Sequence, residues 1–123
     1  MSAPRPIETR ADLRALIDNF YDRLLSDQRI ASLFAGLDLE LHKPVLVDFW
    51  AMILLGEDCY RTNTFQKHLH LALERRHFAI WLGHFEATLD ELVVGERAEE
   101  AKKRARSIAS IFESKLVSLG RLA

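Results

Sequence analysis

Two of the chain's five histidines stand two residues apart, in the stretch Phe65-Gln66-Lys67-His68-Leu69-His70-Leu71. On a helix a two-residue step turns the side chain by roughly 200°, so His68 and His70 cannot both serve one buried site. Phe65, His68, Leu69 and Ala72 fall at i, i+3, i+4 and i+7, the spacing of a core-facing stripe, whereas Gln66, Lys67, His70 and Glu74 gather on the other side. His68 is therefore the inward histidine and His70 the solvated one. An imidazole aimed into an apolar setting can be a hydrogen-bonded core residue, a general base or a metal ligand, and a lone example is most often the first. Three further side chains on other predicted helices could act with it: Tyr21, His42 and Trp81.

The elements that must position these groups are helical. Thr9 followed by Asp12 is a capping-box variant, and Leu13, Leu16, Ile17, Phe20 and Leu24 then repeat at helical spacing, predicting a first helix from about Arg10 to Leu25. Tyr21 lies on its flank with Ile17 and Leu25. Ser26 and Asp27 can cap a short second helix carrying Ile30, Leu33 and Phe34, which Gly36 stops. Asp38 opens a third helix, closed by Gly56, whose stripe is His42, Val45, Leu46, Phe49 and Ile53. Pro44 removes a hydrogen bond from its start, so regular helix is expected only from near Lys43.

A polar loop over Glu57 to Asn63 leads into the short helix bearing His68. A fifth helix, roughly Glu74 to Val93, carries Phe78, Trp81, Leu82, Phe85, Leu89 and Leu92 at core spacing, with His77 and His84 read as surface or cap residues. The last, about Ala98 to Leu119, is expected to bury Ala101, Ala105, Ile108, Phe112, Leu116 and Leu119. Lys102, Lys103, Arg104 and Arg106 form its solvated face, with Glu99 and Glu100 placed to pair along it. The pattern predicts an all-α domain over residues 1–123 with a flexible segment at 1–8, and no strand or repeat.

Composition narrows the function classes. Apolar residues are 49% of the 123 and the formal net charge is −1, which argues against disorder and against electrostatic capture of nucleic acid. The single cysteine, Cys59, can form no internal disulfide and fits a reducing cytoplasm. The longest apolar run, Phe49 to Leu55, is too short for a bilayer, so no membrane partner is expected.

Two inward histidines on separate helices can flank a flat cofactor, one binding its metal and one facing the opposite side, as around a haem iron. They can equally be structural, or belong to a bundle metal site. Bundle sites usually recruit Glu-x-x-His pairs, and neither His42 nor His68 has an acidic residue three positions before it. Zinc-ligand spacings are missing too.

Phe20-Tyr21, Leu33-Phe34-Ala35-Gly36, His42-Lys43, Phe49-Trp50-Ala51-Met52-Ile53-Leu54-Leu55-Gly56, Lys67-His68 and His77-Phe78-Ala79-Ile80-Trp81-Leu82 carry more than spacing does. In order and separation, from about residue 12 to residue 116, the chain resembles the truncated haemoglobins of group III. The resemblance implies a shortened globin, two helices packed over two, enclosing haem b. His68 matches the family's proximal histidine, the ligand of the iron. Tyr21 and His42 match the distal tyrosine and histidine, and Trp81 the tryptophan characteristic of the group. Phe34 matches the phenylalanine that packs on the porphyrin, and Leu46 and Phe49 would line the distal side. Phe65 and Phe78 join this haem-contact set, with Lys67 and Arg76 as cations for the propionates.

Donors such as Tyr21 and Trp81 would stabilise a diatomic ligand that takes up negative charge and slow its release. The implied partners are O2, NO, CO or peroxide together with a reductant, acting on a monomer. The implied activity is ligand capture followed by nitric oxide oxidation or peroxide turnover. Two other classes stand beside it: sensing through a separate partner, and a cofactor-free helical interaction module.

Overall fold

The computed structural model describes residues 3–58 and 73–120. Phe65, Lys67, His68 and His70, the short helix predicted around them, and Cys59 lie outside the described residues. Among the described residues four α-helices carry the fold: α1 (Arg10–Ser26), α2 (Leu39–Leu55), α3 (Arg75–Leu92) and α4 (Glu96–Ser118). A 3-10 turn, Ala31–Phe34, links α1 to α2. Helix α1 packs on α2 and α3, while α4 packs on α3 and α2, so two helices lie over two. No strand forms among the described residues.

Local sequence explains where the helices begin. At α1 the Thr9 hydroxyl accepts from the Asp12 amide, and the Asp12 carboxylate accepts from the amides of Thr9 (3.0 Å) and Glu8 (2.9 Å). At α2 the Asp38 carboxylate accepts from Glu40 N at 3.1 Å, satisfying an amide with no partner inside the helix. Helix α2 therefore starts at Leu39 and runs through Pro44, four residues earlier than expected from the proline alone. Pro44 sits in the second turn, exposed, where the helix lacks one backbone N–H donor. Gly56 closes α2 at φ +70°, a left-handed conformation that a side chain disfavours.

The core is built from Leu13, Leu16, Ile17, Phe20 and Leu24 of α1, with Val47, Trp50, Ala51 and Leu54 of α2. Phe85 and Leu89 of α3 and Ala98, Ala101 and Ala105 of α4 complete it. The small residues of α4 let its backbone approach α3 closely. Leu119, expected inside, is 59% exposed: it lies just beyond Ser118, where α4 ends. Along the basic run of α4, exposed Arg104 pairs with Glu100 at 2.9 Å and exposed Arg106 with Glu86 at 2.7 Å, whereas Lys102, only 18% exposed at its side chain, pairs with Asp90 and Glu99.

The leading segment packs against the helices. Arg5 pairs its backbone with the end of α3, donating to Leu92 O and accepting from Val94 N. Ile7 is buried (1% exposed), and its carbonyl accepts from the Arg97 guanidinium at 2.8 Å. Residues 5–7 thus form a strap over α3 and α4. A single isoleucine among prolines gave no periodic signal from which this could be read.

Candidate functional site

Helix α2 carries two apolar stripes, and they have different fates. Val47, Trp50, Ala51 and Leu54 are buried in the core. His42, Val45, Leu46, Phe49 and Ile53, the stripe singled out by spacing, are only half-buried. The same division appears on α3, where Phe78, Trp81 and Leu82 are half-buried but Phe85 and Leu89 are fully enclosed. Leu33 and Phe34 of the 3-10 turn are likewise half-buried against the core. Large apolar side chains left half covered on α2, α3 and the connecting turn are suited to holding a flat apolar group.

The polar chemistry of this region comes from Tyr21 and His42. Tyr21 is 4% exposed, and its hydroxyl lies 2.9 Å from His42 Nε2. Burial pushes the phenol well above its ordinary pKa, so Tyr21 stays neutral and keeps its proton. Edge-to-face contacts with Phe20 (5.6 Å between centroids), Phe34 (5.6 Å) and His42 (5.8 Å) fix its ring. The hydrogen bond can run either way. With the proton on Nδ1, His42 accepts from the phenol; with a proton on Nε2, it donates to the phenol oxygen and frees the Tyr21 O–H for a third group.

His42 is held by its neighbour. Lys43, 14% exposed at its side chain, donates to Asp18 Oδ1 at 2.9 Å, and Arg14 donates to the same oxygen at 3.1 Å. Burial works to raise the Asp18 pKa, but the hydrogen bonds from Lys43 and Arg14 outweigh it and hold the carboxyl below its ordinary value. Asp18 lies one turn before Tyr21 and Lys43 directly after His42, so one ion pair braces both partners of the hydrogen bond. Spacing did not single it out, although the opposite charges flanking the two candidates were visible.

Trp81 reaches the pair through Phe20. Its ring stacks on Phe85 (5.5 Å, 3° between planes), which stacks in turn on Trp50 (5.0 Å, 22°), and Phe20 meets Trp81 edge-on at 5.7 Å. Tyr21, His42 and Phe34 are thus in direct contact, with Trp81 one ring away. Leu46 and Phe49 share the half-buried stripe with His42, and Phe78 lies on the half-buried part of α3. Arg76 is exposed and paired with Glu74 at 3.0 Å, at the start of α3.

The other two histidines among the described residues hold local structure. His77 is a buried cap residue: its Nδ1 accepts from Glu74 N at 2.9 Å. His84 is half-buried and joined to Asp27 Oδ2 at 2.7 Å, tying α3 to the end of α1. Among the described residues no cluster of three or more histidine, cysteine or acidic side chains could hold a metal ion. No helix among them is long and apolar enough to cross a membrane.

Residues 7–113 match the bacterial-like globin family. The chain is a bacterial-like globin. It is 31% identical over 112 residues to a group 3 truncated haemoglobin of Campylobacter jejuni, covering 85% of this chain and 88% of the relative. The crystal structure of the group III truncated haemoglobin from Campylobacter jejuni superposes with a TM-score of 0.80 at 30% identity, covering 89% of this chain and 91% of that one. The Fe(III) form of the Tetrahymena pyriformis truncated haemoglobin gives 0.67 at 25% identity, covering 77% and 82%. The two-over-two helical sandwich and the group III resemblance both stand. Membership of the globin family implies haem iron and the binding of diatomic gases such as O2. The described residues fit that group chemically: half-buried apolar walls for a porphyrin, and a buried phenol hydrogen-bonded to a half-buried imidazole beside them.

Proposed function

We propose that this globin holds haem b through His68 and uses Tyr21, His42 and Trp81 to retain a small ligand for redox chemistry, oxidising nitric oxide or reducing peroxide, in preference to delivering O2. Haem, when bound, supplies an iron that takes a diatomic or peroxide ligand and exchanges electrons with it. The observation that carries the reading is the Tyr21–His42 hydrogen bond at 2.9 Å beside half-buried Phe34, Leu46 and Phe49.

Each residue's part follows from its chemistry. With His42 donating to its oxygen, Tyr21 turns its O–H toward the pocket and stabilises a ligand atom that has gained negative charge. The apolar walls exclude competing water, which strengthens that bond. Trp81 offers a second donor, its indole N–H, on a ring locked by Phe20 and Phe85. His42 stands behind Tyr21 as a proton carrier. Phe34, Leu46, Phe49, Phe65 and Phe78 form the apolar cradle, and Lys67 and Arg76 serve the propionates. A pocket with two donors slows ligand escape, which suits reaction over transport. The protein acts as a cytoplasmic monomer served by a separate reductant.

Reconstitution with hemin tests the cofactor: the wild type should give a strong Soret band, and His68→Ala should lose proximal ligation. A well-folded protein that stays colourless would overturn the proposal. Turnover of nitric oxide or peroxide with a reductant should exceed that of free haem, and rates no better than free haem would remove the redox reading.

A further inference from the structure

We propose that Tyr21 is a redox-active residue, a one-electron donor to peroxide reduction whose phenolic proton is received by His42. The inference rests on the haem-and-peroxide reading above and adds a second electron source inside the protein.

The geometry has the three features such a donor needs. Tyr21 is 4% exposed, so its phenol cannot release a proton to bulk water as it loses an electron. Burial also holds the phenol protonated, which closes the route through a preformed tyrosinate. A base must therefore stand within hydrogen-bond reach, and His42 Nε2 does, at 2.9 Å. In the Nδ1–H tautomer that nitrogen carries the lone pair that accepts the proton. The proton moves along a bond already made, so little has to reorganise. The rings of Phe20, Phe34 and His42 shield a radical on Tyr21 from solvent and from other proteins, with centroids at 5.6, 5.6 and 5.8 Å.

The step balances with a hydroperoxide as oxidant. Cleaving the O–O bond of ROOH to give ROH and water takes two electrons and two protons. A bound haem would supply one electron and Tyr21 the other, with both protons coming from the medium. Once the alcohol has left, the Tyr21 hydroxyl hydrogen faces His42. Loss of the electron then leaves a neutral phenoxyl radical hydrogen-bonded to an imidazolium. Two one-electron equivalents from an external reductant such as ascorbate restore the iron and Tyr21, and the proton returns from His42 to the phenol oxygen.

The aromatic column beyond Phe20 supplies the competing site. Trp81, Phe85 and Trp50 stack at 5.5 and 5.0 Å, and Phe20 links them edge-on to Tyr21. Trp50 is buried at 3% exposure among apolar residues. Tyr21 has a base at its hydroxyl, which favours it as the resting place of the radical.

Rapid freeze-quench electron paramagnetic resonance of the hemin-loaded full chain, mixed with cumene hydroperoxide, tests this directly. The Soret band of the same samples reports haem loading, and alcohol product reports O–O cleavage. The expected result is an organic radical that narrows in protein carrying ring-deuterated tyrosine and is lost in Tyr21→Phe. In His42→Leu it should form roughly 10²-fold more slowly, the low end of what a positioned base contributes. Tyr21→Phe and His42→Leu should keep the wild-type Soret intensity and helical circular dichroism. A radical that ignores tyrosine deuteration would place the electron source at a residue such as Trp81 or Trp50, and one that survives Tyr21→Phe at undiminished yield would place it outside Tyr21, at a tryptophan or at the chain's other tyrosine, Tyr60; either result would overturn the assignment. Peroxide cleaved by loaded protein with no radical would overturn it as well. Failure of hemin to bind at all would instead defeat the haem reading on which this one stands, and the Soret band tells the two failures apart.

Discussion

Lys43 Nζ lies 2.9 Å from Asp18 Oδ1, joining α2 to α1 one residue from His42 and one turn from Tyr21. Asp18 is 42% exposed and Lys43 14%, so the pair is only partly shielded from solvent. Lys43→Met should therefore cost only about 0.5–1 kcal/mol in urea unfolding. Its larger effect should be on the site, since His42 loses the brace beside it. O2 dissociation should accelerate in Lys43→Met even though residue 43 touches no ligand. An off-rate equal to wild type would show that α2 alone orients the imidazole.

Tyr21→Phe removes the phenol but keeps the ring and its contacts with Phe20 and Phe34. A neutral hydrogen bond contributes about 0.5–1.5 kcal/mol, so O2 dissociation should quicken by up to roughly tenfold. The two groups share one hydrogen bond, so the Tyr21→Phe/His42→Leu double variant should be less than additive, with a coupling of about 0.5–3 kcal/mol. Stopped-flow displacement of O2 by CO measures all four rates. Strict additivity would mean that the two residues act on the ligand independently.

Phe85 is fully buried and stacked between Trp50 and Trp81. Phe85→Ala should cost about 3–5 kcal/mol, through lost transfer energy and the cavity left between two indoles. The urea midpoint should fall, and tryptophan fluorescence should shift as both rings lose their shared neighbour.

Asp27 links Arg29 to His84. Hydrogen bonds from Arg29 first, and His84 second, hold its carboxyl well below the ordinary value of 3.8. A depressed folded-state pKa means that the stabilisation is fully present above the ordinary value and is lost as pH falls through the folded one. The wild type should therefore lose melting temperature more steeply than Asp27→Asn between about pH 5 and about pH 2. Parallel curves across that window would remove Asp27 as a contributor.

Ile7 holds the leading strap against α3 and α4. Ile7→Ala should cost about 2–5 kcal/mol, the range for a large aliphatic residue truncated in a core. A change within error would make the strap peripheral to stability.

Much of the architecture was legible in local patterns. Thr9 with Asp12, Asp38 and Gly56 mark helix ends through hydrogen bonds and backbone angles that act within a few residues, and the periodic apolar stripes between them require helices wherever they pack. The order of Tyr21, His42 and Trp81 along the chain, set in the globin motifs, was enough to place the family. Periodicity could not separate the half-buried stripe of α2, His42-Leu46-Phe49-Ile53, from the fully buried one, Val47-Trp50-Ala51-Leu54, because both are apolar at helical spacing. Only the packing of α1 and α4 against one face decides which is core. The Tyr21–His42 bond, the Asp18–Lys43 brace, the Asp27–His84 link and the Ile7 strap all join residues on different elements, and such contacts exist only once α1, α2 and α3 have been brought together.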